Sequence, residues 1–154
     1  MRRKEREVTE ITLIEEIIYK ADVCRLAIAN GNIPYIITMN FGYTDIPGKR
    51  LFFHCANNGK KLDMIKQNNY VCFAMDIDHT MYKGPKGCDW GMKYSSVLGY
   101  GHISIITELE SKKRGLNCIM AHYGGKGDYT YDKKVMEKTT VLQLDIIEIT
   151  GKKC

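Results

Sequence analysis

The chain has 154 residues, of which 44% are hydrophobic and 27% are charged. This length suits one domain spanning residues 1–154, and this composition excludes intrinsic disorder and fibrous architectures. The net charge is +5, but the excess lies at the two ends of the chain, so we expect no broad nucleic-acid-binding face.

The chain opens with a predicted amphipathic helix. Thr12 and Glu15 match the Ser/Thr-x-x-Glu capping box that begins many helices. The apolar residues that follow recur at the spacing of one helical face, and they are Ile14, Ile17, Ile18 and Ala21. Together these signals predict a helix over 12–21.

A β-hairpin and a further strand come next. Segments 23–29 and 33–43 flank Asn30-Gly31-Asn32, whose residues tolerate the positive φ of a tight turn. A strand is then predicted over 50–55, followed by a short helix that ends near Asn68.

Two more strands are predicted in the middle of the chain. They cover 70–77 and 93–106, and a bulge is expected in the second one at Gly99 or Gly101. The residues between them, 78–92, contain Gly and Pro and predict a long loop.

The last two predicted elements are a helix and a strand. A second capping box, Thr107 to Glu110, begins an apolar stripe that stops at Gly124. The strand over 139–149 changes the phase of its apolar alternation after Ile146, which predicts a bulge. Six antiparallel strands with three helices that do not alternate with them predict an α+β fold of barrel type with flanking helices.

Cysteine and histidine spacing argues against a metal site. The six cysteines include no C-x-x-C pair, and the four histidines include no H-x-x-x-H pair. Several cysteines stand in apolar runs, where free thiols act as small hydrophobic residues, so a reducing cytoplasm is expected. Neither an export signal nor a membrane-spanning run is recognisable.

Segment 51–61 carries the most suggestive chemistry. A strand runs through Asn57 and Asn58, which could cap a helix, into a helix start that bears Lys60 and Lys61. Helix N-termini offer unpaired N–H groups and partial positive charge, so lysines there form a phosphate site in outline. An ordinary capped helix with solvated lysines explains the same residues, and the sequence leaves both interpretations open.

His54 precedes this helix start. Strand alternation places it on the face opposite Phe53. A lone strand histidine is more often a structural hydrogen-bonding residue than a ligand contact. Gly99-Tyr100-Gly101 lacks the third glycine of a dinucleotide fingerprint, and no Gly-x-Ser-x-Gly motif predicts a hydrolytic triad.

A series of short motifs nevertheless occurs in a telling order. The motifs are Met1-Arg2-Arg3, Pro34-Tyr35, Asn40-Phe41, Phe53-His54-Cys55-Ala56 with Gly59-x-Lys61, Val71-Cys72-Phe73, Cys88-Asp89-Trp90, Lys93-Tyr94-x-Ser96-Val97, Gly99-x-Gly101 and Gly151-Lys152. Over almost the whole chain they resemble the nitroimidazole-resistance branch of the pyridoxamine 5′-phosphate oxidase-like flavoproteins.

The resemblance implies a six-stranded antiparallel split β-barrel of Greek-key type, which forms a homodimer and binds FMN in clefts between the subunits. The residues that it implies for FMN binding are Thr38, Met39, Asn40, Phe41, His54, Lys60, Lys61, Tyr94, Ser95 and Ser96. His54 would also be catalytic. Thr38 stands where relatives often have a second proline, and Ser95 where many carry a charged residue, so phosphate neutralisation would depend more on Lys61.

The implied function is that of an FMN-dependent oxidoreductase. It would take electrons from a reduced nicotinamide or another donor and pass them to a small organic acceptor, with nitroimidazoles and other nitroaromatics as the implied class. The alternatives are a flavin- or haem-binding protein of the same fold without turnover, and a pyridoxamine 5′-phosphate oxidase-like enzyme. The last would ordinarily carry a C-terminal extension that is not seen after Gly151.

Overall fold

A computed structural model describes residues 3–127 and 129–154. These residues form four α-helices, which are α1 (Ile11–Lys20), α2 (Lys60–Gln67), α3 (Leu109–His122) and α4 (Lys133–Glu137). They also form eight strands, which are β1 (Glu7–Val8), β2 (Cys24–Asn30), β3 (Ile33–Met39), β4 (Gly42–Thr44), β5 (Arg50–Ala56), β6 (Tyr70–Tyr82), β7 (Gly91–Ile106) and β8 (Thr139–Lys153). No helix in the described part of the chain is long and apolar enough to cross a membrane.

The strands form one antiparallel sheet in the order β3-β2-β6-β7-β8-β5-β4, and β1 also pairs with β8. Within residues 3–127 and 129–154 the sheet does not close, because β3 and β4 remain its edges. The predicted α+β class is confirmed, and each of the six predicted strands is present. The predicted strand over 33–43 is divided into β3 and β4, because the chain turns inward at Phe41, which is fully buried.

The predicted loop over 78–92 is confirmed only in its middle: residues 83–90 lie between β6 and β7 and include one 3₁₀ turn, Gly87–Asp89, but both ends of the predicted loop are strand. Strands β6 and β7 continue past the core as a two-stranded arm, with Thr80 opposite Lys93 and Tyr82 opposite Gly91. The ladder is irregular before Thr80, where Asp78 adopts a φ of 58°. Because both faces of the arm are largely exposed, its sequence lacks the apolar alternation that identifies a half-buried strand.

The phase change predicted in the last strand is confirmed as a β-bulge. Tyr100 pairs with Glu148 but Gly101 pairs with Ile146, so Ile147 is the extra residue, and it is 63% exposed. The bulged residue therefore lies in β8 and not in β7. Gly101 is needed there, because a Cβ atom would lie 2.1 Å from the Asp145 carbonyl oxygen.

Both predicted capping boxes are wrong, because each helix has its N-cap at a residue next to or near the predicted one. Helix α1 begins at Ile11, and the Thr12 hydroxyl donates to the Glu10 carboxylate, so it does not cap the backbone. Helix α3 is capped by Glu108, which accepts from the N–H groups of Glu110 and Ser111. The longer side chain of Glu108 therefore caps the helix in place of Thr107, the residue that the sequence pattern predicts.

The core lies on one face of the sheet, which we call the inner face. The largest fully buried side chains there include Phe41, Phe53, Phe73, Leu142 and Leu144, and the predicted apolar face of α1 packs on them. Burial of such side chains stabilises the fold by roughly 1.5–3 kcal/mol each. Helix α3 covers the opposite, outer face near β4, β5 and β8, where Gly115 lies against Phe52 and Val141.

Candidate functional site

A cleft of about 480 Å³ opens where the ends of β3 and β5, the start of α2 and the start of β8 meet. We call it the lysine cleft. It is lined by Thr38, Met39, Asn40, His54, Cys55, Ala56, Lys61, Lys138 and Thr139. Five residues implied by the resemblance are thus brought together from two strands and a helix, although β3 and β5 lie far apart in the strand order.

The start of α2 leaves backbone donors free beside the cleft. Gly59 is the N-cap, with a φ of 129° that favours glycine, and it makes no side-chain cap. Its carbonyl accepts from the N–H groups of Leu62 and Asp63, while no acceptor among the described residues bonds those of Lys60 and Lys61. The partial positive charge of a helix start is therefore available to an anion.

The predicted asparagine caps are wrong. The Asn57 amide instead donates to the Glu137 carbonyl, and its oxygen accepts from the Thr140 hydroxyl at 2.9 Å. Asn57 therefore ties the turn before α2 to the junction between α4 and β8 and leaves the helix start open.

The positive charge of the cleft has no carboxylate to balance it. Lys61 and Lys138 both line the cleft, and none of its lining residues is acidic. Among the described residues, the Lys61 ammonium makes only one weak side-chain contact, 3.9 Å from the Met39 sulfur. Within the described residues Lys138 has no ion pair. Two such cations attract an anion more strongly at the edge of a protein than in bulk water.

The two cleft residues of β5 differ in their surroundings. His54 is exposed and faces away from the fully buried Phe53, as the strand alternation predicts. Burial raises the pKa of the Cys55 thiol, although the Lys61 cation acts in the opposite direction. Cys55 is therefore held toward its neutral form, and the imidazole of His54 is an exposed ring with nitrogen atoms open to the cleft.

Two of the residues implied by the resemblance lie near the cleft but do not line it. The Lys60 ammonium is 4.9 Å from the centre of the Tyr35 ring, in a cation–π contact that turns it away. The Phe41 ring is fully buried and lies 4.1 Å from the ring of His122. In this structure the side chain of Phe41 thus belongs to the core and not to the cleft wall.

The other three implied residues lie on β7, away from the lysine cleft. Ser95 points inward and is buried, whereas Tyr94 and Ser96 point outward into a second depression of about 390 Å³. We call this depression the β7 patch, lined by Ala74, Met75, Asp76, His79, Met92, Tyr94, Ser96, Val97 and Leu98. A single chain therefore divides the implied site into two clusters.

Sequence reasoning missed Lys138, Thr139 and the role of Asn57. Lys138 stands at the end of α4, a five-residue helix that the apolar pattern does not predict. Its partner across the cleft, Lys61, is distant in sequence, so no local motif joins them. The one available signal was a lysine immediately before the predicted last strand.

Comparison with known proteins agrees with this architecture. The sequence profile of the pyridoxamine 5′-phosphate oxidase family matches residues 11–153. No curated protein sequence matches significantly. A crystal structure described as a candidate 5-nitroimidazole antibiotic resistance protein from Bacteroides thetaiotaomicron is 29% identical, with a TM-score of 0.83, covering 96% of this chain and 86% of that chain.

Two further solved structures share the fold at 14% identity. The flavocytochrome Anf3 from Azotobacter vinelandii has a TM-score of 0.83, covering 100% of this chain and 72% of that chain. An FAD- and haem-binding protein from Mycobacterium smegmatis has a TM-score of 0.84, covering 96% of this chain and 73% of that chain. The chain belongs to the pyridoxamine 5′-phosphate oxidase family, and the split-barrel prediction is confirmed.

Proposed function

We propose that this member of the pyridoxamine 5′-phosphate oxidase family is an FMN-dependent oxidoreductase. The observation that carries the proposal is the lysine cleft, where unbalanced cations and an uncapped helix start adjoin a free histidine. Electrons would come from a reduced nicotinamide or another donor and pass to a small organic acceptor. The chain is 29% identical to a protein described as a candidate nitroimidazole resistance protein, and this similarity supports nitroaromatic compounds as the acceptor class.

The residues of the cleft fit FMN. Lys61, with the free N–H groups at the start of α2, would hold the terminal phosphate through charge-assisted hydrogen bonds. Thr38, Met39 and Asn40 would flank the rest of the molecule along the end of β3. Bound FMN would supply the redox chemistry, and the protein would supply position and electrostatics.

His54 is the residue that we propose for proton transfer. Its imidazole faces the cleft, so a ring nitrogen could deliver a proton to an acceptor as that acceptor is reduced. The exposed position also lets solvent return the proton to the ring. The alternative role is structural packing against the bound ring.

A homodimer would unite the two clusters of implied residues. The outer face of the sheet beside the β7 patch is uncovered and partly apolar, with Ile36 66% exposed and Leu98 42% exposed. The cross-strand pairs Arg25–Thr38, Arg25–Ala74 and Ala74–Leu98 show that one continuous face runs from the cleft edge to the patch. We propose that a second copy covers this face and presents its Tyr94 and Ser96 to the cleft.

Absorbance spectroscopy of the purified protein tests whether it binds a flavin, which the proposal requires. A flavin spectrum, with FMN identified by mass spectrometry after release, supports it, and turnover of a nitroaromatic with a reduced nicotinamide completes it. A Soret band would instead favour the haem-binding alternative. FMN binding without turnover of any acceptor would favour the non-catalytic one. The six cysteines are free thiols, which suits the cytoplasmic location that we propose.

A further inference from the structure

We infer that Lys138 is a second cation for the phosphate of the bound ligand, and that Asn57 is a positioning residue that acts through it. The inference rests on the proposed function, since it concerns the same cleft. It goes further by assigning a phosphate contact to a part of the chain that the implied FMN residues do not include. The ligand class that it specifies is a terminal phosphate monoester, which carries up to two negative charges.

The register of the sheet places Lys138 at the phosphate end of the cleft. The last pair of the β5–β8 ladder joins Ala56 to Thr139. Beyond this pair, β5 continues toward α2 and Lys61, while β8 is preceded by Lys138. Lys138 therefore flanks the start of α2, whereas His54 pairs with Val141 two residues further along the ladder.

The ammonium of Lys138 is available to a ligand, because among the described residues it makes no interaction that stabilises the fold. Its side chain is exposed, and it has neither a hydrogen bond nor an ion pair within residues 3–127 and 129–154. Other lysines nearby are occupied: Lys112 donates to the Met136 carbonyl at 2.9 Å, and Lys113 pairs with Glu110 at 2.8 Å. A free ammonium that lines a cleft without carboxylates is suited to an anion.

Asn57 fixes the backbone that carries Lys138. Its amide donates to the carbonyl of Glu137, the residue before Lys138, and its oxygen accepts from the Thr140 hydroxyl. Asn57 thus holds both sides of Lys138 against the turn that leads to Lys61. Because its own side chain does not line the cleft, it sets the separation of the two lysines without contacting the ligand.

The test is a fluorescence titration of flavin-free protein with FMN and, in parallel, with riboflavin, which lacks the phosphate. Lys138→Ala should weaken FMN about 10-fold and leave riboflavin within about twofold. The matched control is Lys134→Ala, which removes the same charge from an exposed lysine of α4 that lies outside the cleft. This control should leave both affinities unchanged, and Lys138→Arg should restore most of the FMN affinity.

A double-mutant cycle tests Asn57. If Asn57 acts through Lys138, Asn57→Ala should weaken FMN but not riboflavin, and it should cost little more when combined with Lys138→Ala. Additive losses, or equal losses for both flavins, would show a merely structural role and overturn this part of the inference. Circular dichroism of each variant shows whether it is folded.

The outcomes separate the inference from the proposal on which it rests. If wild-type protein binds FMN no better than riboflavin, the cleft does not bind a phosphate. That result would contradict both the proposed function and the role of Lys138. A wild-type preference for FMN that survives Lys138→Ala would leave the proposed function intact and overturn the role of Lys138. Equal losses from Lys138→Ala and Lys134→Ala would show that only net charge matters, which also overturns it.

Discussion

The lysine cleft and the β7 patch carry charge in opposite ways. In the cleft, Lys61 and Lys138 face open space without a carboxylate among the lining residues. In the patch, the Asp76 carboxylate pairs with the guanidinium of Arg25 beside the patch and also contacts the His79 ring, so its negative charge is balanced. The unbalanced positive charge of the cleft suits a small anion, which supplies the negative charge. The balanced charge of the patch, set among apolar side chains, suits contact with another protein surface.

The two regions also differ in which elements build them. The cleft is assembled from strand ends, turns and a helix start, all within one chain. The patch lies along two long strands, β6 and β7, and several of its side chains are partly exposed to solvent. The difference predicts that substitutions in the cleft change ligand binding and chemistry, while substitutions in the patch change assembly.

The largest effect should come from His54→Ala. We expect FMN to stay bound while turnover of a nitroaromatic acceptor falls by about 10²- to 10⁴-fold, since general acid catalysis typically contributes that much. Stopped-flow oxidation of the prereduced variant measures the rate per bound flavin. An unchanged rate, with weakened FMN binding, would make His54 a packing residue and remove it from the mechanism.

Lys61→Ala should have the next largest effect. The variant loses the ammonium that faces the cleft beside the α2 start, so FMN affinity should fall by about 10- to 100-fold while riboflavin affinity stays nearly the same. Lys60→Ala is the matched control, because its ammonium lies over Tyr35 and not in the cleft. If the two variants lose FMN equally, the charge of the helix start as a whole would matter, and Lys61 would have no special part.

A charge in the β7 patch should break the dimer. Leu98→Glu places a carboxylate in the middle of the uncovered face, and we expect the dimer dissociation constant to rise by at least about 30-fold, the size of a hot-spot loss near 2 kcal/mol. Leu109→Glu is the control, because Leu109 is an exposed leucine at the start of α3, outside the patch. Sedimentation equilibrium decides: a wild-type monomer that binds FMN tightly would contradict the shared-cleft arrangement.

The smallest and most local effect concerns two half-buried thiols. Burial raises the pKa of both Cys55, in the cleft, and Cys72, on the outer face near Leu98, so both should react with iodoacetamide slowly near pH 7 and faster as the pH rises. FMN at about ten times its Kd should slow labelling of Cys55 about tenfold, because only the free form reacts.

Cys72 provides the comparison in the same experiment. Its labelling should slow as protein concentration rises through the dimer dissociation constant and should respond little to FMN. Peptide mass spectrometry reports both sites at once. Protection of Cys72 by FMN in a protein that stays monomeric would place the ligand at the patch and not in the cleft.

Much of the fold could be predicted because elements with one buried face show a regular spacing of apolar residues in the sequence. The face of α1 and the phase change after Ile146 were both legible for this reason. The arm of β6 and β7 was not, since cross-strand pairing between exposed residues such as Thr80 and Lys93 leaves no apolar alternation.

The helix caps were misassigned for two reasons. At α3 the carboxylate of Glu108, one residue after Thr107, accepts the backbone N–H groups. Before α2, Asn57 bonds to residues of α4 and β8, which a capping motif cannot predict because they are distant in sequence.

The site was predictable only where its residues are close in sequence. His54 and Lys61 stand within one strand-to-helix segment, so they could be identified together. Lys138 lines the same cleft as Lys61 because the β5–β8 ladder brings the start of β8 beside the end of β5, and no local pattern encodes that pairing. In the homodimer that we propose, Tyr94 and Ser96 would reach the cleft of the second copy, and neither the sequence pattern nor one chain's contacts determine that arrangement.

The central claim is that FMN occupies the lysine cleft, with its phosphate at the α2 end and its ring toward His54. A crystal structure of the protein with FMN tests this most directly. The account predicts the phosphate in contact with Lys61 and the first N–H groups of α2, with the partner's β7 closing the cleft. An FMN phosphate bound elsewhere, or a flavin ring that lies away from His54, would contradict the account.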